Sequence, residues 1–64
     1  MGGIYRELTA KLKESGCWFV REGKGSHEIW FSPRTNRTFT VPANLVSRVL
    51  ANEILKQAGL PKEF

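Results

Sequence analysis

A chain of 64 residues has room for one small core, and with about 60% of its unfolded surface buried its stability is marginal. A single cysteine, Cys17, excludes an internal disulfide and fits a reducing compartment, and no Cys, His and carboxylate cluster has zinc spacing. Ten Lys and Arg against six acidic residues give a formal net charge of +4, which favours a polyanionic partner such as nucleic acid. The first fifteen residues hold no continuous apolar run and nothing approaches a membrane span, so a soluble, cytoplasmic protein without a signal peptide is expected.

Ile4, Leu8 and Leu12 recur every four residues with Tyr5 beside them, which predicts an amphipathic helix with Arg6, Lys11 and Lys13 off the apolar stripe. Ser15-Gly16 ends it, Gly16 being suited to the left-handed position after the last turn. Residues 17–22, 27–32 and 38–41 are rich in aromatic and β-branched side chains and read as three strands. Closing the first hairpin over residues 23–26 pairs Glu22 with His27, Val20 with Ile29 and Trp18 with Phe31. Arg21 then meets Glu28, and Phe19 meets Trp30, on the other face. Closing the second hairpin over residues 33–37 brings Phe39 to Phe31 and Val41 to Ile29. The expected core is therefore Trp18, Val20, Ile29, Phe31, Phe39 and Val41, in a three-stranded antiparallel meander. Pro42 stops the third strand, since proline cannot donate to a ladder.

Residues 44–58 read as a second helix, capped by Asn44 or Ser47, with Val46, Leu50, Ile54 and Ala58 along one side and Val49 adjacent. Gly59 ends it and Pro61 prevents its continuation. The expected fold class is α+β in the order α-β-β-β-α, one domain over residues 1–64, with both helices on the apolar face of the sheet.

The residue with most chemical potential is His27, the only histidine, which closes the loop Gly23-Lys24-Gly25-Ser26 and opens the second strand. Histidine is the side chain whose ordinary pKa lets it exchange a proton near neutral pH. The register above puts His27 on the rim of the core-facing side, a place that suits either a polar strand end or a general acid or base. RNA carries its own nucleophile, the 2′-hydroxyl, so cleavage needs a proton acceptor, a held phosphate and positive charge. His27 supplies the first; Lys24, Arg21 and the loop amides of Gly25 and Ser26 supply the rest. No metal or other cofactor is needed for this chemistry. Glu28 is a poor second proton-transfer group, because alternation sends it to the opposite face from His27. Trp30 and Phe19, expected on the uncovered face, suit either stacking on unpaired bases or a protein interface. Arg34 and Arg37 in the second hairpin suit phosphate contacts or plain solvated turn charges.

The first helix with its leucines, Gly16 and an aromatic strand reaching Arg21, Gly25-Ser26-His27, Val41-Pro42, and the run Ile54-Leu55-Lys56-Gln57-Ala58-Gly59-Leu60 together resemble the HicA (YcfA-like) toxin family. The resemblance runs from Ile4 to Leu60. It implies a fold like a double-stranded-RNA-binding domain, and a toxin of a type II toxin–antitoxin pair that cleaves mRNA, with His27 as its catalytic residue. It also implies a HicB antitoxin that covers the toxin's active surface, operator DNA being met only through that complex. The chain departs from many relatives at Glu28, where a second histidine is common, and at Ala43-Asn44-Leu45, where a histidine or basic stretch is common. It departs again at Val49-Leu50-Ala51 and in a first-hairpin loop one residue longer. His27 thus stands alone, and slow turnover is expected. The alternatives are a non-catalytic RNA-binding module and a protein-interaction module of the same fold.

Overall fold

The computed structural model describes residues 3–64, so Met1 and Gly2, which open both the 1–64 domain span and the stretch read for a leader, lie outside the described residues. Helix α1 spans Ile4–Glu14, strand β1 Trp18–Glu22, β2 His27–Ser32, β3 Arg37–Pro42, and helix α2 Arg48–Gln57. The strands form an antiparallel sheet in the order β1-β2-β3. The two helices pack on one another and on one face of that sheet, giving the α+β layout the sequence predicts. None of the described helices is long and apolar enough to cross a membrane.

Helix α1 buries Leu8 and Leu12 as its periodicity requires, and Gly16 at φ 90° turns the chain into β1. Helix α2 begins later than residue 44, because Ser47 caps it: its Oγ accepts from the Leu50 amide at 3.1 Å. The late start changes the apolar side. Ala51, Ile54, Leu55 and Ala58 face the core, and Leu45 is buried ahead of the cap. Val46, Val49 and Leu50 are exposed instead of lining it, Val46 lying before the first helical turn.

The sheet departs from the expected register in both hairpins. The β2–β3 turn closes over four residues, 33–36, with Ser32 opposite Arg37. Asn36 takes the left-handed conformation at φ 58° and its amide donates to Ser32 O at 2.8 Å. A turn one residue shorter than expected slides β3 along β2, so Trp30 pairs with Phe39 and Glu28 with Val41. In β1 the pairs Trp18–Phe31 and Phe19–Trp30 form as expected. An irregularity at Val20 then places Arg21 opposite Ile29 and Glu22 opposite Glu28, instead of Val20–Ile29 and Glu22–His27.

These shifts exchange the faces of β2. Trp30, Phe39 and Val41 are buried under the helices, whereas Trp18 and Val20 are exposed and Ile29 and Phe31 only half-buried. Trp30, expected in solvent, is thus a core residue. Phe19 meets its edge at a ring-centroid distance of 6.3 Å but stays 44% exposed, since β1 lies beyond the helices' cover. Two polar residues of β2 are drawn under the helices on this face, and each is satisfied. Ser32 Oγ donates to Ala58 O at 2.7 Å, and Glu28 accepts from Tyr5 Oη at 2.8 Å and Trp30 Nε1 at 3.0 Å.

Candidate active site

The β1–β2 hairpin is closed by two backbone bonds. The Gly23 amide donates to His27 O at 2.8 Å, and the His27 amide donates to Lys24 O at 3.1 Å. Gly25 sits at φ 63°, a left-handed position that favours glycine and brings the chain round to Ser26. Ser26 O accepts from the Ala43 amide at 2.8 Å, and Ser26 Oγ donates to Asn44 Oδ1 at 3.4 Å. The loop is thereby fastened to the chain just past β3. In the sequence Asn44 is a cap candidate and part of the departure at residues 43–45; its place beside Ser26 follows from the pairing of His27 with Pro42, which differs from the expected register.

His27 is exposed, and its position in β2 puts it on the same face as Ile29 and Phe31. It therefore lies on the open face of the sheet and not at the rim of the core-facing side, where the register expected from the sequence puts it. This correction follows from the same one-residue shift. Glu28 does point the opposite way, as expected, toward α1 and the core. Among the described residues, the imidazole has no protein hydrogen-bond partner.

The five residues singled out from the sequence fall into one neighbourhood. Lys24, Gly25 and Ser26 form the exposed loop leading into His27. Arg21 shares the open face one pleat repeat away, paired with Ile29, and its Nη1 donates to Glu22 O at 3.3 Å. Among the described residues, no protein acceptor takes the amides of Lys24, Gly25 and Ser26. Unpaired amides beside a lysine leave hydrogen-bond donors and positive charge available to an anion. Arg34 and Arg37 belong elsewhere. They sit at the β2–β3 turn, the opposite end of β2, about 17 Å along the strand from His27.

Such a site can hold a phosphodiester against the loop while an unencumbered imidazole reaches a neighbouring hydroxyl. Among the described residues, no second histidine and no carboxylate shares the open face with His27. The family profile described as HicA toxin of bacterial toxin–antitoxin matches residues 5–60 of the chain. Comparison with curated proteins and with solved structures gives no match.

Proposed function

Since the chain belongs to the HicA toxin family, and so is a toxin with an antitoxin partner, we propose that it acts as an endoribonuclease that cleaves mRNA in the cytoplasm with His27 as its catalytic residue. The observation that carries this reading is an exposed, unpartnered histidine adjoining three free loop amides and Lys24. His27 accepts the proton of the ribose 2′-hydroxyl. The O2′–P bond forms as the P–O5′ bond breaks, leaving a 2′,3′-cyclic phosphate and a 5′-hydroxyl end. The departing oxygen takes its proton from water, for want of a second acid. The amides of Gly25 and Ser26, with Lys24 and Arg21, offset the negative charge that builds on the phosphoryl oxygens. RNA brings its own nucleophile, so no metal ion is required to generate one. The partner in this reading is a HicB-like antitoxin that blocks the loop, with operator DNA met only in that complex.

The test is cleavage of a labelled single-stranded RNA in EDTA by the purified chain and by His27→Ala. Cleavage by the first, and its loss in a folded second, is the expected result. A variant that cuts as well as the parent removes His27 from the mechanism. Retention of RNA without any cutting by the parent assigns the fold to binding alone.

A further inference from the structure

We infer that the Trp18–Phe31 pair on the open face of the sheet is a stacking platform for an unpaired base of the RNA, next to the nucleotide whose phosphate is cleaved. The inference rests on the reading of His27 given above. Trp18 and Phe31 are cross-strand partners with ring centroids 4.8 Å apart and a tilt of 36°, and Trp18 is 51% exposed. They are not core residues that happen to show an edge, because the helices cover the other face. Phe31 stands four residues from His27 on the same face of β2, about 13 Å along the strand. A base stacked there belongs to a neighbouring nucleotide, so the platform acts on which sites are cut and not on the proton transfer.

Charge selects the occupant. The open face carries Trp18, Arg21, His27, Ile29, Phe31, Thr38 and Thr40, with Lys24 at its loop end. None of the six acidic residues is on it. Glu7 and Glu14 lie on α1, Glu53 on α2 and Glu63 beyond it, while Glu22 and Glu28 pair with each other on the helix side of the sheet. A partly aromatic surface whose only fixed charges are Arg21 and Lys24, free of carboxylates, complements a chain of phosphates and stacked bases. Aromatic stacking joined to a basic track is the general means of holding single-stranded nucleic acid.

The experiment uses cleavage-dead His27→Ala protein, alone and combined with Trp18→Ala or Trp18→Phe, titrated with a short oligouridylate and with the same chain lacking its bases. The parent is expected to prefer the base-bearing strand. Trp18→Ala is expected to lose about tenfold in affinity for it, with an unchanged salt slope, because no phosphate contact is removed. Trp18→Phe should retain most of the affinity. The abasic chain should bind all three alike. Equal affinity of the parent for the two strands, or of Trp18→Ala and the parent for the oligouridylate, overturns the platform while leaving RNA binding in place. In that event, weakened antitoxin binding by Trp18→Ala would assign the face to a protein. Failure of the parent to bind either strand overturns both the platform and the nuclease reading.

Discussion

The two faces of the sheet are built from the same three strands and are both rich in aromatic and branched residues, yet they do different work. On the helix side, Trp30, Phe39 and Val41 are sealed, and the polar residues among them are bonded: Ser32 to Ala58, Glu28 to Tyr5 and Trp30. On the open side, Trp18 and Phe31 pair on the face that also carries His27 and Arg21, with no helix over them. Apolar character alone does not separate the two. On the covered face the polar groups that β2 buries, Ser32 and Glu28, find protein partners, since a buried polar group left unbonded costs about 1–3 kcal/mol. The open face keeps the groups that need water or a ligand, namely the histidine, the arginine and the loop amides.

The largest effect that tests this contrast comes from exchanging tryptophans across it. Trp30→Ala empties the core and should cost about 3–5 kcal/mol, about the whole stability of a domain this small. Urea titration should find that variant largely unfolded without denaturant. Trp18→Ala removes only an exposed aromatic pair and should cost about 1 kcal/mol. Equal losses in the two variants would mean that the faces are assigned the wrong way round.

Why the sequence led to the opposite face is visible at two residues. Every helix and strand was legible from periodicity and turn residues, and so was the grouping of Lys24, Gly25, Ser26 and His27 in one loop, because they are contiguous in the chain. Register was not, because it depends on how many residues a turn consumes. Asn36 in the left-handed conformation shortens the second turn by one, and Val20 absorbs one residue in β1. Each slip is local, but side chains alternate, so a single residue reverses a whole strand. The all-apolar face chosen from sequence was self-consistent. It had no way to credit Ser32 and Glu28 with partners that come from α2 and α1. The same error moved His27 to the wrong side and hid the neighbourhood of Asn44.

A middle-sized effect sharpens the claim that satisfied polar groups mark the covered face. Ser32 is fully buried and its hydroxyl donates to the carbonyl of Ala58, the residue that caps α2. Ser32→Ala leaves that carbonyl without its donor and should cost about 1–3 kcal/mol, read as a lower urea midpoint at unchanged slope. Thr38→Ala, on the exposed side of β3, serves as the comparison and should fall within about 0.5 kcal/mol of the parent. If Ser32→Ala behaves like Thr38→Ala, the polar bond plays no part in holding α2 to the sheet.

The smallest effect is carried by Tyr5, where α1 meets the covered side of β2. Its hydroxyl donates to both oxygens of Glu28 at 2.8 Å. Partial burial, then the hydrogen bond to Glu28 and the carboxylate's charge, push the phenol from its usual 10.0 up to about 12. The folded chain therefore holds this proton more tightly than the unfolded chain does. The resulting stabilisation is fully present below pH 10 and is lost as pH rises through about 12. Tyr5→Phe removes the titrating group, so the stability difference between parent and variant should shrink across that interval. Measuring both by urea denaturation at pH 9 and at pH 11.5 subtracts the background from lysines, which titrate in both proteins. A difference that stays constant with pH would mean that Tyr5 and Glu28 are not joined in solution, and that α1 is held to β2 by its leucines alone.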